Sequence, residues 1–471
     1  MNTQAQRFLV LFVCSILGIY SINAEKQTVT LKTSLQQGET FTLIVGAERD
    51  AYIDWGDGTF VPISSDTLTG TVKDSVITIQ APTTWSTLGC DGQKIYSVDL
   101  SQAPYLKSIF LSNNELQSLD VSEQTLLTDL DCSHNDLKSL DIKANKKLLW
   151  LNCSYNELSS LYLYNQAELL ELDCSNNQFE QITFYRNNSQ LSSFNCSNNN
   201  MSQLSLTLLS SLKSLYCYDN VLTKLSLGVR DSSLEILWCD NNQLEELDID
   251  KCTHLTQVSC TNNKLKSISY PNLSTKSDYT LLSCQNNNLT FKDLITRQNV
   301  INYSINYTYS PQAQINVLQT IPANTTLDLT EYRYNASEKY IGTAYKAYTC
   351  TDSTALSSTS YSTASGNITF KESIADSVYL VMTSSFYPNL SIYTNPFKVE
   401  SPVSIQSITT PKETFTVSTS GQILKIECKE PLEIYIYQTD GSLIWKGIVS
   451  SIFQKELPKG IYLVNNKKII L

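Results

Sequence analysis

The chain predicts a mainly β solenoid of about nine stacked coils, 21–22 residues each, flanked by small β domains. Three observations carry this expectation. Eight cysteines (Cys132, Cys153, Cys174, Cys196, Cys217, Cys239, Cys260 and Cys284) stand 21, 21, 22, 21, 22, 21 and 24 residues apart. Each is followed three positions later by an asparagine: Asn135, Asn156, Asn177, Asn199, Asn220, Asn242, Asn263 and Asn287. An apolar frame travels with them, as in Leu127, Leu130, Cys132, Asn135, Leu137, Leu140 and Ile142, repeated as Leu148, Leu151, Cys153, Asn156, Leu158, Leu161 and Leu163. Self-similarity at a fixed period of this length marks a solenoid, in which each repeat stacks only on its neighbours.

The first full unit, Leu106 to Val121, carries Leu111 where later units carry cysteine. A slot filled by leucine or cysteine is an inward apolar slot, and free cysteine behaves as a small buried hydrophobe. Disulfides are the alternative, since an exported chain with thirteen cysteines suggests a bridged framework. Stacked strands lie roughly 4.8 Å apart, but side chains in register point the same way, which leaves Cβ atoms near that spacing rather than the roughly 3.8 Å a bridge prefers. Reduced, buried thiols follow. The redox state of Cys90, Cys252, Cys350 and Cys428, off this ladder, stays open. The asparagines are expected where strands turn and backbone groups lose their ladder partners, because an amide supplies both donors and an acceptor. Ile95, Val98 and Leu100 form a half-repeat that leads in.

The motif Leu-x-x-Leu-x-(Leu/Cys)-x-x-Asn-x-Leu resembles the leucine-rich repeat family over roughly Ile95 to Leu294. The short period is most similar to bacterial, internalin-like repeats. Segments such as Leu140-Asp141-Ile142 and Leu247-Asp248-Ile249 are too short for helices and are expected as a second extended stretch in each coil.

Length suggests about three domains as a prior. Residues 1–24 have the pattern of a secretory signal peptide: Arg7, an apolar run from Phe8 to Tyr20, then Ser21-Ile22-Asn23-Ala24. The run is too short to span a bilayer as a helix, and no later stretch approaches the needed length. Cys14 leaves a lipid anchor as a minor alternative. Residues 25–90 are expected to be a β-rich cap on the first coil; they contain Asp54-Trp55-Gly56-Asp57-Gly58, a strong hairpin-turn signal. This turn resembles that of bacterial polycystic-kidney-disease-type Ig-like domains, although the segment is short for a full sandwich. Asp54 and Asp57 suit turn chemistry better than calcium binding or catalysis.

The solenoid is expected over 91–300 and an Ig-like β-sandwich over 301–400, with 401–414 as a linker. Residues 415–471 end the chain with Gly441-x-Leu443-Ile444, Leu457-Pro458-x-Gly460-Ile461-Tyr462 and a basic tail at Lys467 and Lys468. These elements resemble the C-terminal sorting domain of the type IX secretion system of certain Gram-negative bacteria. The resemblance implies the secretion machinery as a partner and a secreted or outer-membrane surface location. A plain terminal β-sandwich is the other reading.

Side chains alternate across a strand, so residues flanking the core slots point outward. Most are small and polar. Trp150, Tyr216, Tyr218, Ile236 and Trp238 break the pattern and are the candidate partner-binding residues, either as a ligand patch or as a surface packed on a flanking domain. Tyr162, Tyr164 and Tyr185 lie on another face.

The formal net charge is −11, and −12 without the signal peptide, which argues against nucleic acid or anionic membrane as a partner. No catalytic, cofactor-binding or metal residues are expected. The two histidines, His134 and His254, lie outside the core slots, no Cys-x-x-Cys occurs, and no phosphate loop or His-Glu-x-x-His helix is present. The sequence thus points to a non-enzymatic recognition or adhesion protein binding a protein or glycan. A structural surface component without a discrete ligand is the runner-up, and a polysaccharide- or peptide-acting hydrolase is third.

Overall fold

The computed structural model describes residues 26–45, 50–228, 233–271, 280–295, 306–332, 342–401, 415–420, 422–438, 442–464 and 467–470. The signal peptide expected over 1–24, nearly all of the linker expected over 401–414, and Gly441 lie outside the described residues. The chain divides into two units, residues 1–400 and 401–471.

The first unit is a parallel β-solenoid with β layers at both ends. Three-residue strands stack in parallel, one per coil, from Ser108–Phe110 through Asp129–Asp131, Trp150–Asn152, Glu171–Asp173, Ser193–Asn195, Ser214–Tyr216, Ile236–Trp238 and Gln257–Ser259 to Leu281–Ser283. Register is strict: Leu130 stands opposite Leu151, and Leu215 opposite Leu237. The opposite side of the coil is extended backbone that pairs only locally, as Gln203–Ser205 with Lys224–Ser226 and Glu246–Asp248 with Ser267–Ser269. No α-helix occurs among the described residues.

The stack runs one strand further at each end than the nine repeats. At the start, Thr87–Gly89 pairs in parallel with Ser108–Phe110, setting Leu88 opposite Ile109. Trp85, Leu88 and Cys90 are fully buried, so the expected half-repeat is the second side of a complete coil. Its Ile95–Gln102 segment pairs antiparallel with Lys26–Thr33 in the cap. The first coil therefore crosses residue 90, and Cys90 occupies the ladder slot rather than a place outside it. At the other end, Asn306–Thr308 pairs in parallel with Leu281–Ser283.

Each asparagine ties one turn to the next. The Asn156 amide donates to the carbonyl of Cys132 in the preceding coil (2.9 Å) and to the carbonyls of Cys153 and Ser154 in its own, while its oxygen accepts from the Leu137 N–H (2.9 Å). The same set recurs along the column, for example at Asn135, Asn177 and Asn263. Glutamine replaces asparagine at both ends. Gln93 accepts from the Thr42 N–H of the cap (2.7 Å), and Gln312, after the Asn306–Thr308 strand, donates to the Cys284 carbonyl (2.9 Å) and accepts from the Leu289 N–H (3.2 Å). A second amide column, not anticipated, closes the other turn: Gln124, Asn145, Gln166 and Asn188 donate to Leu100, Val121, Ile142 and Leu163.

In the cap, Asp54 accepts from the N–H groups of Gly56, Asp57 and Gly58 at 2.9–3.1 Å, which closes the hairpin between Tyr52–Asp54 and Phe60–Pro62. Gly56 has a φ of +108°, a conformation that glycine adopts without strain. Trp55 packs edge-on against Phe41, and a Cβ on Gly70 would meet its ring at 2.1 Å. Beyond the solenoid, two sheets face each other, one built on the long Ile374–Ser384 strand and the other joining Thr326–Asp328, Asn367–Phe370 and Tyr361–Ala364. Tyr387 of this layer seals the last coil, stacking on Phe291 at 5.9 Å and donating its hydroxyl to the Leu294 carbonyl.

The second unit is also all β among its described residues. Its core holds Leu424, Ile426, Ile434, Ile436, Tyr462 and Val464. Tyr462 donates its hydroxyl to the Pro458 carbonyl at 2.8 Å, which folds the Leu457-Pro458-x-Gly460-Ile461-Tyr462 run back on itself.

The Asn156→Ala substitution leaves the buried Leu137 N–H without an acceptor, at a cost of about 1–3 kcal/mol. Chemical denaturation should show a lower midpoint, and hydrogen exchange a faster Leu137 amide; an unchanged midpoint would remove the turn-tying role.

Candidate functional site

Four successive coils follow one rule around the ladder cysteine: the residue before it is half-buried on the outer side of the strand, and the serine after it is buried. In Asp131-Cys132-Ser133, Asn152-Cys153-Ser154, Asp173-Cys174-Ser175 and Asn195-Cys196-Ser197, the first side-chain oxygen accepts from the N–H of the serine at 2.9–3.1 Å. In three of them it also takes the serine hydroxyl, at 2.6–2.8 Å. These short loops of hydrogen bonds end the strand by satisfying its last donors locally. The next two coils break the rule, with Tyr216-Cys217-Tyr218 and Trp238-Cys239-Asp240. They forgo bonds worth about 0.5–1.5 kcal/mol each.

The substituted residues form a cluster. The Tyr216 and Trp238 rings meet edge-to-face at 5.4 Å, with Trp238 36% exposed and Tyr216, Tyr218 and Ile236 half-buried beside it. The carboxylate of Asp240 is fixed from the following coil. Its Oδ1 accepts from Ser259 Oγ (2.6 Å), Thr261 N (2.7 Å) and Thr261 Oγ1 (2.6 Å). One carboxylate oxygen of the half-buried Asp240 is thus anchored by three donors.

The five candidate residues do not all come together. Tyr216, Tyr218, Ile236 and Trp238 share two adjacent strands. Trp150 sits three strands before Ser214–Tyr216 and packs its ring against Phe110 at 6.4 Å. Phe110 was not singled out from the sequence; its signal was an aromatic residue at the outward position next to Leu111. On the other side of the coil, Tyr162, Tyr164 and Tyr185 gather with ring centroids 5.1–6.2 Å apart, and Tyr162 and Tyr164 are about half exposed.

The ladder thiols are shielded. All eight are fully buried and free, and Cys90 joins them as the first of the column. Burial pushes every one of their thiol pKa values above the ordinary 9.0; for Cys284 it is raised to about 12, with the Tyr307 hydroxyl opposing the shift. A thiolate is the nucleophile and metal ligand, so this column packs rather than reacts. Of the others, Cys252 fills an inward slot at the second turn, Cys428 is buried in the second unit, and Cys350 is half-exposed. Among the described residues no group of three or more histidine, cysteine or acidic side chains is placed to hold a metal ion, and no helix is long and apolar enough to cross a membrane.

No family model matches the chain, and no curated protein matches it. Solved structures do. The functional domain of InlJ from Listeria monocytogenes, which includes a cysteine ladder, is 19% identical over 70% of this chain and 94% of its own, with a TM-score of 0.30. YopM, a leucine-rich effector protein from Yersinia pestis, is 25% identical over 51% of this chain and 62% of its own, with a TM-score of 0.38. The internalin InlF from Listeria monocytogenes is 19% identical over 48% of this chain and 79% of its own, with a TM-score of 0.33.

Because folding raises the thiol pKa values, the ladder's contribution is fully present below pH 9.0, the unfolded value, and is lost as the pH climbs toward and beyond 12. Each thiol contributes a slope of up to about 1.4 kcal/mol per pH unit in that window. Thermal unfolding under reducing conditions should therefore fall steeply above pH 9.0, and less steeply for Cys153→Val. Ready alkylation of the native protein near neutral pH would contradict the shielding.

Proposed function

We propose that this protein is an exported, non-catalytic recognition or adhesion protein that binds a protein or glycan on the outward face of its parallel sheet. The observation that carries this reading is the cluster of Tyr216, Tyr218, Ile236 and Trp238, where two coils give up the local hydrogen bonds of their neighbours to place aromatic rings outside. Exposed aromatic surface is costly to leave in water, and binding energy concentrates in tyrosine and tryptophan. Rigid register supports the role, since residues held on a hydrogen-bonded sheet are ordered before a ligand arrives.

Export rests on the signal-peptide pattern of residues 1–24 and on the C-terminal resemblance to type IX sorting domains. On this reading, residues 415–471 address the protein to the outer surface of a Gram-negative bacterium, residues 25–90 cap the first coil, and residues 301–400 form an Ig-like layer behind the last.

Tyr216→Ala combined with Trp238→Ala should lower capture of the ligand from immobilised protein and glycan panels by about tenfold or more, with the melting profile unchanged. Retained binding would move the site elsewhere, and turnover of a polysaccharide or peptide would replace recognition with catalysis. Deleting residues 415–471 should leave the protein inside the producing cell's envelope; undiminished surface display, read by protease shaving, would remove the sorting role.

A further inference from the structure

We infer that the ligand is an extended glycan, neutral or amino-sugar-bearing, laid along the stacking direction with tryptophan stations at Trp238 and Trp150. This rests on the recognition role proposed above and specifies its ligand. The two tryptophans stand four strands apart, about 19 Å along the stack at the ordinary strand spacing, and two residues apart along the strand, since Trp150 shares the column of Ile236. Each is half of an aromatic pair, Trp238 with Tyr216 and Trp150 with Phe110. Between them the outward positions hold Glu171, Asp173, Ser193, Asn195 and Ser214. This is a run of hydrogen-bonding groups without a large apolar side chain.

That layout is the reverse of a protein–protein interface, where apolar hot spots gather at the centre and polar groups form the rim. It fits a linear polymer whose sugar rings lay their apolar C–H faces on aromatic rings and turn their hydroxyls to fixed polar groups. One coil advances by close to the rise of one hexose unit in an extended β-linked chain, so the polar positions repeat in step with the sugars. Asp240 supplies the most ordered acceptor. Three donors hold one oxygen of this half-buried carboxylate, two residues along the chain from Trp238, which leaves the group ordered to accept from a sugar hydroxyl.

Charge selects among glycans. Asp129, Asp131, Glu171, Asp173 and Asp240 line this face, and Lys213 at its margin is paired with Glu235 at 3.3 Å. A uronate or sulfated polymer would meet like charge, whereas a neutral or amine-bearing chain would not.

The test uses the full chain and titrates tryptophan fluorescence with a graded series of β-linked glucose and N-acetylglucosamine oligomers, with polygalacturonate as the anionic comparator. Affinity should climb with oligomer length until one chain reaches both tryptophans, then level off. Trp238→Ala and Trp150→Ala should each cost about tenfold with long oligomers, whereas with the shortest ones each should silence only its own station. Asp240→Asn should weaken binding several-fold without lowering the melting temperature. The inference is overturned if no neutral oligomer binds, if polygalacturonate binds better, or if Trp150→Ala leaves long oligomers unaffected. Should Trp238→Ala abolish binding of a protein while no oligomer binds, the glycan assignment fails and the recognition role stands.

Discussion

Closing the turn after each three-residue strand is the constraint on which the rest of this molecule depends. A strand that short ends almost as soon as it starts, so its last backbone groups must find partners outside the ladder. The asparagine column meets that demand with one side chain per coil, which donates to the coil before it and to its own turn and accepts from the coil before it. Because an amide reaches only one distance, every coil is drawn to the same depth. Strict register follows, and with it the vertical alignment of cysteines inside and of carboxylates, amides and aromatic rings outside. The residue before each asparagine adopts a positive φ of 51–57°. Asparagine and aspartate tolerate this region best, and they hold most of these positions. His134 and Tyr155, which also hold it, stack their rings at 4.0 Å.

The interior is built for sameness and the exterior for difference. Cysteine suits a slot directly above its own copy because it is small, apolar and unbranched, and Leu111 shows that the slot itself asks only for apolar volume. Outside, the Asx–Cys–Ser triplet is the resting state, since it closes its own turn. The coils at Tyr216 and Trp238 depart from that state at an energetic cost. In a repeat protein whose stability is a sum of nearly equal coil and interface terms, such a local loss is tolerated if neighbouring coils stay intact. Ser259 and Thr261 recover part of it by turning back onto Asp240.

Most of the solenoid was legible because its two loudest signals, cysteine and asparagine, recur without substitution through eight coils. What escaped was carried by substitutions of similar chemistry. Trp85, Leu88, Cys90 and Gln93 spell the same coil as Leu106, Ile109, Leu111 and Asn114, at a spacing of 21 residues, but tryptophan and glutamine disguise it. The second amide column hides for the same reason, alternating glutamine and asparagine at Gln124, Asn145, Gln166 and Asn188. The aromatic residues were visible individually, yet their grouping was not. Pairing Trp150 with Phe110 requires knowing that side chains lean across an intervening coil, which follows from packing and not from spacing.

The glutamines at the two ends show why those substitutions are more than tolerated noise. An internal asparagine always faces another coil at the ordinary strand spacing, so its short side chain suffices. At the ends the neighbour is different: on one side the antiparallel cap strand Thr40–Ile44, whose Thr42 N–H Gln93 reaches, and on the other the last parallel strand, Asn306–Thr308, after which Gln312 donates back to the Cys284 carbonyl. The flanking layers then complete the seal, with Trp85 buried at one end and Tyr387 stacked on Phe291 at the other. A solenoid without such ends would expose its apolar column to water and to other copies of itself. The caps are therefore part of the same device as the ladder: glutamine carries the hydrogen-bonding rule across the boundary, and aromatic rings close the core behind it.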